Sequence, residues 1–476
     1  MSILDIVLII YILNFITMIV LICFERRDPV VSLAWLFGFT AVPVLGYIFF
    51  LVFGTGLKRK TAKKYAQRWN MNMDLSEKMS VEDEKEKLKE YKFLPYSDIM
   101  SYLLNANNSV LTDGNDVKIY TDAKSKFDDL FEDIKGATDS VHLIYFIIRD
   151  DIIGNKLVKL LTQKAKEGVK VRLLYDDIGS FTTKRTIFDN LKAAGGQVTP
   201  FFPFKIGTYS KINHRNHRKI VVIDGKIGYM GGINVGDEYF GKKRLSPWRD
   251  THIKITGPSV KYMQKAFSLD WLFSTNEDIS QSLARYFPLN ERSEKNKRIQ
   301  IVCSGPDSKE EANKCAIIKM INSAKNHIYI ETPYFIPDQS FMNALKLASK
   351  SGVDVRVVIP GIPDKKYVYY STESYIGELL SSGIRVYKYN GFIHAKMVVV
   401  DEDVVTIGTT NIDIRSFQLH FEANAFIYDC ATTNECNEIF KNDLKSSKEV
   451  TPAIYSKRDV MQRILEGFFR LFSPIM

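Results

Sequence analysis

Cysteine is scarce and poorly placed for a structural role. The chain has five (Cys23, Cys303, Cys315, Cys430 and Cys436), with no CxxC pair and no clustering with its seven histidines. That excludes a disulfide-stapled scaffold and a zinc ribbon, and it points to a reducing compartment. Cys430 and Cys436 lie close in sequence but read as ordinary buried or surface thiols. An acidic excess is also lacking: 65 Lys and Arg against 55 Asp and Glu give a formal charge of +10. An anionic partner is favoured, with nucleic acid and an anionic lipid surface equally compatible on charge alone. There is no series of basic residues interleaved with aromatics, which argues against nucleic acid.

Charge is missing altogether from residues 6–24 and 31–57. Each stretch is long enough to cross a hydrocarbon core of about 30 Å as a helix, with the costly charges of Glu25, Arg26, Arg27 and Asp28 in a turn between them. No Lys or Arg precedes the first stretch and no small-residue pattern follows it, so a cleaved signal peptide is disfavoured. Pro43 and Gly46 interrupt the second stretch, which is tolerated where neighbours satisfy the freed backbone groups. Lys58, Arg59, Lys60, Lys63, Lys64 and Arg68 follow it and predict that the large remainder faces the cytoplasm. Residues 70–91 mix Glu82, Asp83, Glu84, Lys85, Glu86 and Lys87 and read as an exposed helix or linker.

The most informative feature is an internal repeat. The apolar strand from Val141 to Phe146, a helix ending at Gly168 and the strand from Val169 to Leu174 are matched by a strand from His327 to Glu331, a helix ending at Gly352 and the strand from Val353 to Val358. Strand, helix with a glycine stop, strand is a βαβ signature. Each copy then reaches an HxKxxxxD motif. His217 and His394, Lys219 and Lys396, Asp224 and Asp401, Gly231 and Gly408, and Asn234 and Asn411 all pair at a constant offset of 177 residues. On a strand, histidine and lysine two apart project from one face, with the apolar run behind them buried. Asp224 and Asp401 complete the motifs and are counted with their catalytic residues, although they precede turns and a backbone-capping role is at least as well supported as chemistry.

These residues resemble the paired HKD motifs of the phospholipase D superfamily. Trp248-Arg249-Asp250-Thr251-His252, Thr332-Pro333-Tyr334-Phe335-Ile336-Pro337, Arg415-Ser416 and the N-terminal pair of apolar stretches are similar to bacterial cardiolipin synthases in particular. The resemblance implies an α/β fold of two pseudo-twofold-related α/β/α sandwich halves preceded by a transmembrane hairpin. The expected units are 1–57 for the hairpin, 58–110 for a basic juxtamembrane segment and linker, 111–290 and 291–450 for the two halves, and 451–476 for a C-terminal amphipathic helix.

It also implies phosphatidyl transfer between phosphatidylglycerol molecules at a bacterial cell membrane, giving cardiolipin and glycerol without metal or other cofactor. Two histidines and two lysines suffice for such an exchange: one imidazole attacks phosphorus, the other protonates the departing oxygen, and the cations hold the non-bridging oxygens. By resemblance His217 is the nucleophile and His394 the general acid. Lys219, Lys396, Asn234 and Asn411 bind phosphate, while Asp250 orients His217 and Glu422 orients His394. His142 and His327 read as core histidines with backbone partners; His214, His252 and His420 flank the motifs and are more readily structural than catalytic. Phe201-Phe202-Pro203-Phe204 reads more readily as core than as a lipid contact. Water or another alcohol as acceptor would make the same site a hydrolase or a different transferase, and a nucleic-acid phosphodiesterase and a non-catalytic membrane scaffold are the alternatives of other classes.

Overall fold

The computed structural model describes residues 3–24, 29–50, 96–203, 213–241, 245–308 and 310–475. At the N-terminus are helices α1 (Ile3–Phe24), α2 (Pro29–Ala41) and α3 (Pro43–Phe49). The break between α2 and α3 is set by Pro43, which cannot donate a helical hydrogen bond. Asn14 of α1 meets this break, donating from Nδ2 to the carbonyl oxygens of Pro43 at 3.1 Å and Phe39 at 3.4 Å. The side chains of α1 are described over residues 5–20, and among the described residues no helix is long and apolar enough to cross a membrane. The spanning hairpin expected over 1–57 is therefore not established. Residues 25–28 between its arms, and 51–95 with the basic cluster and charged linker, lie outside the described residues.

Strands β1 (Thr112–Tyr120), β2 (Ser140–Tyr145), β3 (Lys170–Asp176), β4 (Gln197–Phe201), β5 (Ile220–Ile223), β6 (Ile227–Gly231), β7 (Trp248–Arg249) and β8 (His252–Thr256) form the first half. The second contains β9 (Lys297–Ser304), β10 (His327–Glu331), β11 (Phe335–Ile336), β12 (Asp354–Pro360), β13 (Arg385–Tyr389), β14 (Phe392–Ile393), β15 (Met397–Val400), β16 (Val404–Gly408), β17 (Ile412–Asp413), β18 (Glu422–Tyr428) and β19 (Ser447–Glu449). Fifteen of them form one sheet, which runs β1-β8-β6-β5-β2-β3-β4 to one side of the β1–β9 junction and β9-β18-β16-β15-β10-β12-β13-β19 to the other. Equivalent strands occur in the same order outward from that junction, which is the repeat of the sequence made visible. Among the described residues, β19 at the edge has no counterpart.

Helices α4 (Ala123–Gly136) and α5 (Ile152–Lys166) cover one face of the first half, and α6 (Val260–Thr275) the other; α7 (Ala312–Ser323), α8 (Gln339–Lys350) and α11 (Cys430–Lys445) do the same in the second. Asp122, Asp151, Asp338 and Asp429 cap α4, α5, α8 and α11 by accepting from backbone N–H groups three residues on, which satisfies donors the helix itself cannot. The glycine stops fall at equivalent points: Gly168 and Gly352 take φ of 93° and 95°, a left-handed conformation that costs a side chain energy and glycine little.

One core runs through both halves, joining Ile144, Ile220, Val222 and Ile255 to Ile301, Val399, Val405 and Ile427. Each such side chain contributes about 1.5–3 kcal/mol by leaving water, so the junction is core rather than a hinge. Phe201 and Phe202 belong to it, in agreement with a packing role; Phe204 lies outside the described residues. Cys430 is exposed, Cys436 is buried, and both are free thiols.

Candidate active site

The residues preceding each motif histidine are pinned by the opposite half. Asn216 bridges to Phe421: the Phe421 N–H donates to the Arg215 carbonyl at 2.9 Å, and the His217 N–H to the Phe421 carbonyl at 2.9 Å. Symmetrically, β14 pairs with β7, matching Phe392 with Trp248 and Ile393 with Arg249, and the His394 N–H donates to the Arg249 carbonyl at 2.6 Å. Each histidine therefore leaves its own half and lies beside a carboxylate of the other. Nδ1 of His217 lies 2.9 and 3.0 Å from the Glu422 oxygens, and Nδ1 of His394 lies 2.7 Å from Asp250 Oδ2.

This reverses the pairing expected from the sequence, in which Asp250 serves His217 and Glu422 serves His394. The same two carboxylates meet the two histidines with their partners exchanged, because the strands at the junction cross between halves.

The arrangement is only approximately symmetric. Lys219 and Lys396 each donate to the carbonyl of the histidine two residues earlier, at 2.6 Å in both cases. Thr409 Oγ1 donates to Glu422 Oε2 at 2.5 Å. The equivalent position in the first half is Gly232, where a Cβ would fall on the Asp250 carboxylate. A shorter carboxylate beside glycine thus replaces a longer one beside threonine.

Both histidines, both lysines and both carboxylates are buried. Burial, and then the charges of Lys219 and Lys396, hold His217 well below its ordinary value, and His394 is lowered by burial and the same two lysines. That each ring senses both lysine charges, and His217 senses His394, places the groups in one electrostatic environment. Burial lowers Lys219 strongly and Lys396 to about 8, against the pull of Asp250 and Glu422. Burial pushes Asp250 up to about 7. With Nδ1 of each ring occupied, Nε2 is the atom left for chemistry.

A family model described as "Cardiolipin synthase, PLD-like domain" matches residues 130–271 and 317–444. The chain is 44% identical over 474 residues to the major cardiolipin synthase ClsA of Bacillus subtilis, covering 98% of each chain. It is 42% identical over 479 residues to a cardiolipin synthase of Listeria monocytogenes, with the same coverage. The chain belongs to the cardiolipin synthase family. A phosphatidylserine synthase from Haemophilus influenzae shares the fold, with a TM-score of 0.60 and 16% identity over 80% of this chain and 100% of that one.

Within this cardiolipin synthase fold the motif aspartates are not in the site. Asp224 and Asp401 lie at the far ends of β5 and β15, five residues past the lysines and so about 16 Å along extended chain. The Asp224 carboxylate accepts from the N–H groups of Thr138, Asp139 and Ser140, each at 2.8 Å. Asp401 accepts from those of Lys325, Asn326 and His327 at 2.8–2.9 Å. The expectation that these aspartates act in catalysis is corrected: they cap the starts of β2 and β10, from turns at φ of 52° and 51°. Replacing Asp401 with alanine strands donors at the start of a central strand and is expected to cost about 2–4 kcal/mol of stability. Thermal unfolding checks this, with turnover per folded molecule little changed.

Asn234 is engaged, accepting from the Ile147 N–H at 3.1 Å and donating to Tyr239 Oη at 2.6 Å; the Tyr239 ring lies 6.0 Å from that of His394. Asn411 is buried, and its Oδ1 has no hydrogen-bond partner among the described residues. His420 does line the site, 5.7 Å ring to ring from His217. His214 is held at the Leu419 carbonyl, whereas His252 is buried with neither ring nitrogen hydrogen-bonded among the described residues. His142 is a core histidine, whereas His327 is only half-buried at the start of β10; the partners of both are side chains rather than backbone, Gln264 and Arg172 for the first and Asn437 for the second. His217, His420 and Glu422 have ligand-type atoms within 4.8 Å of one another, yet Glu422 is already engaged by His217 and Thr409, and the nearby lysine charges oppose a cation. Sequence reasoning missed Thr409 and Tyr239; the departure from the repeat at 232 and 409 is the signal that could have found the first.

Proposed function

We propose that this site transfers the phosphatidyl group of one phosphatidylglycerol to the terminal hydroxyl of another, releasing glycerol and forming cardiolipin. The observation that carries the reading is the crossed pairing of each motif histidine with a carboxylate of the other half, which makes one site from two repeats.

In the first step His217 Nε2 attacks phosphorus, the bond to the headgroup glycerol oxygen breaks, and His394 Nε2 gives that oxygen a proton. The product is a phosphatidyl-histidine and free glycerol. In the second step the acceptor hydroxyl gives its proton to His394, its oxygen attacks phosphorus, and the bond to His217 breaks. Lys219, Lys396 and Asn411 stabilise the equatorial oxygens, where charge accumulates. Glu422 and Asp250 fix the tautomers and support positive charge on the rings as it develops.

The reading also seats the N-terminal helices in the bilayer as a hairpin, with the catalytic part cytoplasmic. It is supported by the 22-residue length of α1, by exposed Leu8, Phe15, Leu33 and Phe37, and by the basic run over residues 58–68.

Full-length protein reconstituted in phosphatidylglycerol vesicles is expected to release glycerol and form cardiolipin in equal amounts. Phosphatidic acid as the main product would replace transfer with hydrolysis.

A further inference from the structure

The C-terminal helix α12 (Val460–Arg470) packs against α9 (Lys366–Ser381) with the sides of an amphipathic helix exchanged. Its protein-facing side is largely polar. Glu466 is 4% exposed and takes hydrogen bonds from Arg458 and from Gln462 Nε2 at 2.9 Å. Arg470 donates to the Ser374 carbonyl at 3.0 Å and to Glu378 at 3.1 Å. Leu465 and Phe469 are the half-buried apolar residues of this side, with Phe469 stacked on Tyr370 at 5.9 Å.

The opposite side is apolar and turned to the outside: Val460, Met461, Ile464, Phe468, Leu471 and Phe472 are 73, 63, 57, 53, 75 and 39% exposed. At 3.6 residues per turn these six fall within one arc of about 120°. Lys457 and Arg463 are exposed beside it. The end of the helix continues into residues 473–475, which pack on α10 (Ile414–Gln418), the helix that carries Arg415. Arg415 Nε in turn donates to His420 Nε2 at 3.3 Å, beside His217.

We infer that this face is a second membrane-docking surface, lying in the interfacial layer of an anionic bilayer and holding the mouth of the catalytic site against it. An apolar arc bordered by Lys and Arg fits acyl chains below anionic headgroups, and the polar side is spent on the protein, so the helix cannot bury its apolar arc by refolding onto the domain. The surface is distinct from the N-terminal helices; its use in catalysis, though not its existence, rests on the lipid-transfer reading.

The test uses full-length protein in phosphatidylglycerol vesicles with a photoreactive benzoylphenylalanine replacing Leu471, and in a second sample Leu289. Leu289 is fully exposed but sits at the Asp224 turn, where Asn290 holds the Gly225 carbonyl, at the end of β5 remote from the histidines. Lipid adducts at least tenfold more abundant at 471 are expected. Equal yields, or adducts to a second protein chain, overturn the inference. Replacing Ile464, Phe468 and Leu471 together with serine should raise the surface fraction of phosphatidylglycerol needed for half-maximal rate about tenfold, leaving kcat and the unfolding temperature unchanged. An unchanged surface dependence also overturns it. Adducts at 471 from a chain that makes no cardiolipin would instead retain the docking surface and remove the transfer reading.

Discussion

His217→Ala and His394→Ala are each expected to lower cardiolipin formation by about 10⁴-fold or more, and the double variant to lose little beyond either single change. In the proposed cycle the two rings serve one phosphorus atom in sequence, so removing either blocks the same cycle. Their roles separate with a phosphatidyl ester of a good leaving group such as p-nitrophenol, which departs without a proton. His394→Ala should then recover a burst of p-nitrophenol as phosphatidyl-histidine accumulates on His217, whereas His217→Ala should show none. Recovery by His217→Ala instead would exchange nucleophile and acid. Survival of both activities would remove the phosphohistidine route. The backbone bonds that hold residues 217 and 394 on Phe421 and Arg249 do not involve the side chains, so neither change removes them.

How much of this was legible in the sequence follows from what is local and what is not. The constant offset between the motifs located both histidines, both lysines and the strands behind them, because hairpins such as β5–β6 and β15–β16 are set by short-range pattern. The glycine stops at 168 and 352 were readable for the same reason. The motif aspartates were ambiguous: a carboxylate before a turn serves equally as catalyst or cap until the loop it faces is known, and those loops lie more than seventy residues upstream. The carboxylate partners were assigned the wrong way round because the β7–β14 pairing and the Asn216–Phe421 bridge join distant segments through register. No periodicity within either half encodes that crossing. The N-terminal apolar stretches gave a helical reading that α1 to α3 bear out in part, with the Pro43 break and its relief by Asn14 visible only once the helices are side by side.

The crossing makes its own prediction. Asp250→Asn and Glu422→Gln are expected to lower turnover by about 10²–10⁴-fold, through the histidine of the opposite half. The two differ in their pH signature. Burial and two lysine charges keep both rings neutral in the resting site, yet the leaving glycerol oxygen needs a proton, and Asp250, raised to about 7, allows the Asp250–His394 pair to hold one below that value. Activity should therefore fall as pH rises through about 7, and Asp250→Asn should displace that alkaline limb, whereas Glu422→Gln should lower the rate while leaving the limb in place. A limb that moves with Glu422→Gln and not with Asp250→Asn would restore the uncrossed pairing. Stability follows separate signs. Between about 4 and 7 the folded state binds a proton on Asp250 that the unfolded chain does not, so that contribution is complete at low pH and is lost as pH rises to 7. The lowered histidines act oppositely, since unfolded rings take up protons below about 6.5 that the buried rings refuse, and their contribution declines as pH drops. A rate profile governed by Asp250 can thus be told from unfolding by following tertiary signal across the same range.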